Sequence, residues 1–172
     1  MSQSVKIATI LPYKENYTFQ KAQAAAIWVC DFFKYSKFKN TNYIFGNTKG
    51  NDYLTKNYIN ISINNLKSKF SSSTSEYCKN FIKKTKNNNF DIIEIHNRPL
   101  VFNYLKKEID SKYILYFHND PLSMNGSKSI SERLKLLDEL DKIIFVSKWV
   151  QNRFFEKLDN KLINKTEVVY PS

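Results

Sequence analysis

Short apolar runs alternate with longer amphipathic stretches along the chain, a pattern typical of strands alternating with helices. The run from Val5 to Leu11 is almost uninterrupted, as in a strand buried on both faces. Similar short runs predict further strands at Tyr43 to Phe45, Tyr58 to Ile61, Asp91 to Ile95, Tyr113 to Phe117, Lys142 to Val146 and Glu167 to Tyr170. Helical spacing of apolar residues predicts helices at Phe19 to Phe33, Ser75 to Lys86, Leu100 to Ile109, Ile130 to Leu140 and Trp149 to Leu158.

This alternation predicts the fold class. Strands separated by helices of this length require right-handed crossovers, which favours a Rossmann-like parallel sheet with helices on both faces, a three-layer α/β/α arrangement. With 172 residues, 42% of them hydrophobic, the chain can bury one substantial core, so we expect a single domain over residues 1–172. Ala25, Ile27 and Trp28 flank the apolar stripe of the first helix, which predicts a helix buried nearly all round. In the fourth helix we expect Leu134, Leu137 and Leu140 to face inward.

Composition and charge exclude some classes of protein. The net charge of +11 favours anionic partners, but the basic residues are spread along the chain and form no arginine-rich tract, so we do not expect nucleic-acid binding. No apolar run reaches the roughly 20 residues needed to span a bilayer, and no signal-peptide pattern is present, which predicts a cytoplasmic protein. Cys30 and Cys78 lie in helical patterns without partners at metal-ligand spacing, so we expect buried thiols and no metal.

The loop after the first strand excludes other chemistries. Pro12 ends this strand, and Lys14 and Glu15 stand where a dinucleotide-binding loop has glycines. The chain also has no Walker-type phosphate loop and no serine nucleophile elbow. An NAD enzyme, a P-loop NTPase and a serine hydrolase are therefore not expected. Lys14 and Glu15 either contact a substrate through their side chains or belong to a solvated loop.

Two polar stretches at predicted strand ends contain the only two histidines of the chain. They are Ile95-His96-Asn97-Arg98-Pro99 and Phe117-His118-Asn119-Asp120-Pro121. Ligands of open parallel sheets bind beyond the carboxyl ends of the strands, so the two stretches predict a site.

The residues around these histidines allow more than one role. The guanidinium fork of Arg98 suits a phosphate or a carboxylate, or it forms a salt bridge with Glu94 or Asp120. Asn119 and Asp120 position His118, bind hydroxyl groups, or cap the turn before Pro121.

In its strand-end motifs the chain resembles the N-terminal domain of bacterial family 4 glycosyltransferases of the GT-B architecture. The matching residues are Glu94-Ile95-His96-Asn97-Arg98-Pro99, Phe117-His118-Asn119-Asp120-Pro121, Met124-Asn125-Gly126-Ser127, Glu132-Arg133, Leu136-Leu137 and Ile144-Phe145-Val146-Ser147-Lys148-Trp149. The resemblance implies the acceptor-binding half of a retaining glycosyltransferase, with His118 as the catalytic histidine that hydrogen-bonds a sugar hydroxyl or assists proton movement. It also implies that His96, Asn97, Arg98, Asn119 and Asp120 contact substrate. At Lys14 and Glu15 the sequence departs from the glycines that are common in this family, which suggests that these two residues contact substrate through their side chains.

The same resemblance implies partners and limits. The expected partners are a saccharide or lipid-linked saccharide acceptor and a nucleotide-sugar donor, which is a co-substrate, so no cofactor is expected. The expected pathway is cell-surface polysaccharide or lipopolysaccharide synthesis, at or near the inner face of the cytoplasmic membrane. The donor-binding C-terminal domain is not in these 172 residues, so we expect the isolated chain to be inactive. The alternative is a non-catalytic basic α/β module that binds an anionic partner.

Overall fold

A computed structural model of the chain describes residues 4–63 and 72–171. Its strands are β1 (Ile7–Ile10), β2 (Asn42–Gly46), β3 (Tyr58–Asn60), β4 (Ile92–His96), β5 (Lys112–Phe117), β6 (Lys142–Phe145) and β7 (Thr166–Val168). Its α-helices are α1 (Ala24–Tyr35), α2 (Ser73–Thr85), α3 (Pro99–Leu105), α4 (Ile130–Glu139) and α5 (Lys148–Phe154). Two 3₁₀ helices cover Pro121–Ser123 and Asn160–Lys165.

The strands form one parallel sheet in the order β3-β2-β1-β4-β5-β6-β7, which confirms the predicted fold class. The strand order reverses between β1 and β4, where Ile7 lies beside Ile92. Loops that follow the two strands leave this point in opposite directions and open a crevice at the carboxyl edge of the sheet.

Each face of the sheet has its own core. Residues of α2, α3, α4 and α5 share an apolar cluster on one face, which includes Tyr77, Phe102 and Phe154. On the other face, Trp28 and Val29 of α1 pack against Tyr116 and other sheet residues in a second cluster. The crevice therefore has α1 on one side and the loops that lead to α3 and α4 on the other.

Helix α1 differs from its prediction in two ways. It begins at Ala24 and not at Phe19, because the preceding segment folds as a loop in which Tyr17 is buried against Tyr58, with ring centroids 4.9 Å apart. The prediction that α1 is buried nearly all round is wrong, since one face packs on the sheet and the other remains open, with Tyr35 91% exposed.

Other local predictions have mixed outcomes. Leu137 and Leu140 are buried as predicted, but Leu134 is exposed, because the buried face of α4 runs through Arg133 and Leu136. Both cysteines are buried free thiols, as predicted. Among the described residues no helix is long and apolar enough to cross a membrane, and no cluster of three His, Cys, Asp or Glu could hold a metal.

Candidate functional site

The two histidines lie at the ends of neighbouring strands, β4 and β5, which pair in parallel. His96 is the last residue of β4 and His118 follows the last residue of β5. Nδ1 of His96 and Nε2 of His118 are 2.7 Å apart, so the two rings share a hydrogen bond. The predicted grouping of the two motifs at one edge of the sheet is confirmed.

Aromatic rings enclose this histidine pair. His96 is only 1% exposed and stacks on Tyr116, with ring centroids 4.5 Å apart and an interplanar angle of 9°. The Trp28 ring meets His118 edge to face at 5.2 Å. Burial lowers the pKa of His118 to about 4, and burial together with His118 lowers the pKa of His96 well below its usual value. Both rings are therefore uncharged at neutral pH.

Asn97 holds the two strand ends in register beyond the sheet. Its backbone has φ of 53°, in the left-handed region that asparagine tolerates better than most residues. Its backbone N–H donates to the backbone carbonyl of Tyr116 at 2.8 Å, and its side-chain Oδ1 accepts from the backbone N–H of His118 at 2.7 Å. This buried asparagine thus fixes the position of the His118 backbone, and it also lines the crevice.

A cleft of about 550 Å³ opens in front of His118. Its polar lining includes His118, Asn97, Asn119 and Glu15, and its apolar lining includes Trp28. Several hydrogen-bonding groups beside an aromatic ring suit a ligand that has both hydroxyl groups and apolar faces, as a sugar does.

Glu15 occupies the N-terminus of α1, where many Rossmann-like folds bind a phosphate. Its Oε1 accepts a hydrogen bond from the backbone N–H of Ala26 at 3.2 Å. Burial raises the pKa of this carboxyl, while the Ala26 and Ala25 amides and the charge of Arg98 act in the opposite direction. A carboxyl group of the chain itself therefore already occupies this helix terminus and is bonded to one of its backbone N–H groups.

A second cleft, of about 420 Å³, adjoins the first across Asn97 and Asn119, which line both. Arg98 and Lys128 bring positive charge to it. Arg98 donates from Nη1 to the backbone oxygen of Asn97 at 2.7 Å, and its guanidinium lies 5.6 Å from the centroid of the Tyr13 ring. Among the described residues no carboxylate forms an ion pair with Arg98.

The two salt bridges considered for Arg98 are therefore not formed. The Glu94 carboxylate bonds to Thr9 at 2.8 Å and to Tyr116 at 3.3 Å. Asp120 pairs with Arg153 at 3.1 Å. Both acids have other partners, which leaves the guanidinium available to a ligand.

Two of the candidate residues lie outside the clefts. Asp120 caps the turn, as one alternative had it, because its Oδ1 accepts from the backbone N–H of Leu122 at 3.0 Å. Lys14 is exposed in the loop after β1, as expected for a solvated side chain. Neither residue lines either cleft, whereas Glu15, His118, Asn97, Arg98 and Asn119 do.

Sequence reasoning missed the part that Trp28 plays. Its apolar character and position on a helix predicted only core packing, yet it lines the cleft and touches both histidine rings. A signal was present in Glu94, a carboxylate within a strand that is otherwise apolar, since a charged residue there requires polar partners nearby. Those partners, Thr9 and Tyr116, lie on the same face of the sheet as His96.

Comparisons with known proteins identify the fold. No protein-family model matches the chain, and no curated protein matches it significantly. Two solved structures of sucrose-phosphate synthase from Thermosynechococcus elongatus are similar, each with a TM-score of 0.63 and 10% sequence identity. One match covers 97% of this chain and 90% of the other, and the second covers 96% and 48%. The chain thus spans about half the length of the longer structure, and its Rossmann-like α/β fold is similar to that of these two structures.

Proposed function

We propose that this chain is the acceptor-binding module of a nucleotide-sugar-dependent glycosyltransferase, and that the cleft in front of His118 holds a sugar of the acceptor. The observation that supports this most is the uncharged His118 ring at a strand end, flanked by the Trp28 ring and by the amides of Asn97 and Asn119. These groups offer hydrogen bonds to hydroxyl groups and an aromatic ring to an apolar sugar face.

The state of His118 favours hydrogen bonding over general-base catalysis. A general base works best when its pKa lies near the pH at which the enzyme operates. Burial lowers the pKa of His118 to about 4, so this ring binds a proton weakly at neutral pH. We therefore assign it the task of orienting a sugar oxygen.

Glu15 favours the acceptor role over the donor role. The backbone N–H of Ala26 in the first turn of α1 already binds the carboxyl group of Glu15, so the phosphates of a nucleotide-sugar would meet an acidic side chain at this position. We propose that the nucleotide-sugar is held mainly by another part of the full enzyme.

The position of Arg98 favours an acceptor that has an anionic group. Its guanidinium has no carboxylate partner among the described side chains and borders the second cleft together with Lys128. We propose that a phosphate or carboxylate group of the acceptor binds there while the adjoining sugar lies near His118. An anionic, lipid-linked precursor of a surface polysaccharide or lipopolysaccharide has this chemistry, and the net charge of +11 favours action at an anionic membrane face.

Trp28 provides a test of this proposal. The chain has two tryptophans, and Trp149 is exposed on α5, so the Trp149→Phe variant leaves Trp28 as the only fluorescent indole. The variant is titrated with neutral oligosaccharides, phosphorylated saccharides and nucleotide-sugars. We expect saccharides to change the Trp28 emission, phosphorylated ones at the lowest concentrations.

Further variants connect the signal to the cleft. In the Trp149→Phe background, His118→Phe should weaken saccharide binding about tenfold, the equivalent of one hydrogen bond of roughly 1.4 kcal/mol. Asn152→Ala, on the exposed face of α5, is the control and should leave affinity unchanged. Equal binding by the His118→Phe variant would contradict the proposal. Binding of any polyanion in a salt-sensitive manner, without response to saccharides, would favour the alternative of a basic, non-catalytic module.

A further inference from the structure

We infer that His96 is a positioning residue: it fixes His118 in the tautomer that carries its proton on Nδ1, so that His118 presents an N–H group to the cleft. This inference rests on the proposed function for the identity of the ligand, a sugar oxygen that accepts a hydrogen bond. The assignment of the tautomer itself rests on the surroundings of the two rings.

The hydrogen bond between the rings admits only two arrangements when both are uncharged. In the first, Nδ1–H of His96 donates to a bare Nε2 of His118, and the proton of His118 is then on Nδ1. In the second, Nε2–H of His118 donates to a bare Nδ1 of His96, which places the proton of His96 on its own Nε2. The 2.7 Å separation fits either arrangement.

The surroundings of Nε2 of His96 distinguish the two. This atom is closed off from solvent and has no hydrogen-bond partner among the described residues. In the second arrangement it would be a buried N–H without an acceptor, which is rare in proteins and costs the full desolvation of the donor. In the first arrangement it is a bare nitrogen, which is an easier atom to leave unpaired.

Trp28 adds weight to the first arrangement. Its Nε1–H is a donor in every state, and it too is buried without a partner. Trp28 and His96 line the same cavity of about 270 Å³, with ring centroids 5.7 Å apart. A second unpaired N–H in this cavity would place two donors together, whereas a bare nitrogen of His96 complements the indole N–H.

The neighbouring rings keep the pair from rearranging. Stacking on Tyr116 fixes the plane of His96, and the hydroxyl of Tyr116 is in turn bonded to Glu94. On the cleft side, Nδ1 of His118 has no partner among the described residues. His118 therefore offers one fixed N–H to a ligand in the cleft.

Long-range ¹H–¹⁵N NMR of the imidazole rings tests the tautomers without any ligand. The chain contains only two histidines, so four ring nitrogens are to be assigned. We expect Nδ1 of both rings to have the shift of a protonated nitrogen and Nε2 of both rings that of a bare nitrogen. A bare Nδ1 on His118 would overturn the inference.

Two variants of His96 then test its role as the cause. In His96→Asn an amide N–H at the position of Nδ1 can still donate to His118, so the Nδ1–H form should persist. In His96→Phe the stacking ring is kept but the donor is lost, so the signal of a protonated Nε2 should appear on His118. If His118 has the same tautomer in both variants, His96 does not control it.

Saccharide binding distinguishes failure of this inference from failure of the proposed function. With the function correct, affinity should fall several-fold in His96→Phe and recover in His96→Asn. The expected tautomers without saccharide binding in any form of the chain would overturn the function and leave the assignment intact. Saccharide binding together with a bare Nδ1 would overturn the assignment and leave the function intact.

Discussion

The ends of β4 and β5 both have a histidine and then an asparagine, yet the two copies of this motif lie in different surroundings. At the end of β4, His96 and Asn97 are both buried. At the end of β5, His118 lines the cleft and Asn119 is exposed. For the third residue of each copy the difference is reversed. After β4, Arg98 borders a cleft and has no carboxylate partner among the described residues, whereas after β5, Asp120 is bonded to Leu122 and Arg153.

The position of each strand in the sheet explains the difference. Strand β4 lies at the reversal of strand order, between β1 and β5, so its end is covered by Trp28 from α1 and by Tyr116 from β5. The residues after β5 are covered less and face the crevice. The copy of the motif after β4 thus positions the copy after β5, because the side chains of His96 and Asn97 both form hydrogen bonds with His118.

The largest effect of a single substitution in this comparison is expected from the two asparagines. Asn97→Ala removes the acceptor for the His118 amide and puts alanine at φ of 53°, so we expect a loss of about 2–3 kcal/mol in the free energy of unfolding. Asn119→Ala, at the exposed position, should change it by less than about 0.5 kcal/mol. Urea denaturation of the two variants measures both values.

Asn97→Gly separates the two causes. Glycine tolerates the left-handed conformation, so this variant loses only the hydrogen bond and should be more stable than Asn97→Ala by about 1 kcal/mol. Equal stability of the alanine variants at positions 97 and 119 would show that the two asparagines do not differ in their support of the fold.

The next effect concerns pH. The folded state holds both imidazoles uncharged, while the unfolded chain protonates them near pH 6.5. Stability from this source is complete above that pH and falls as pH is lowered towards 4, by up to about 1.4 kcal/mol per pH unit for each histidine. Denaturation curves from pH 7 to pH 4.5 should show this slope.

The carboxyl groups require a control. Burial raises the pKa of Glu15 and Glu94. Their contribution to the free energy of unfolding therefore falls as pH rises above the ordinary carboxyl pKa, which is opposite to the contribution of the histidines. The variant with His96→Phe and His118→Phe keeps both carboxyl groups, so the difference between it and the wild type isolates the imidazoles. The same slope in both proteins would mean that the histidines are not held neutral by the fold.

The sequence predicted the fold better than it predicted the role of each residue within the site. Alternation of apolar runs and helical patterns is enough to predict a parallel sheet, and polar residues after two strands predict which edge carries a site. The reading of α1 failed because a helix rich in alanine and aromatic residues does not reveal which face meets solvent. Ile27 and Phe32 are apolar like Trp28, yet about half of each residue is exposed where it lines the cleft.

Within the site, the limits of prediction are local. Which histidine is buried depends on the rings that cover it, and Trp28 comes from a helix about 70 positions before His96 in the chain. The partner of Asp120 is Arg153, 33 residues away, and local sequence offered Arg98 as the nearer choice. Long-range contacts of this kind depend on packing, which the spacing of apolar residues does not specify.

Arg98 and Arg153 provide a comparison of intermediate size. Arg98→Leu should weaken binding of a phosphorylated saccharide about tenfold and leave binding of its unphosphorylated form nearly unchanged, because only the charged group requires the guanidinium. Arg153→Leu breaks the pair with Asp120 and should not change this ratio. Isothermal titration with both saccharides measures the two affinities. An equal loss of affinity for the two ligands would show that Arg98 does not bind the phosphate group.

The smallest effect is expected at Asp120, the residue that corresponds to Arg98 in the second motif. Asp120→Asn keeps an oxygen for the Leu122 amide but removes the charge opposite Arg153, an ion pair that is partly exposed to solvent. We expect a loss of less than about 1 kcal/mol in the free energy of unfolding, reduced further by salt, and no change in saccharide affinity. Asp120→Ala also removes the cap and should cost about 1 kcal/mol more. If Asp120→Asn instead weakens saccharide binding while stability is preserved, then Asp120 contacts the ligand. In that case its role would not be limited to capping the turn and pairing with Arg153.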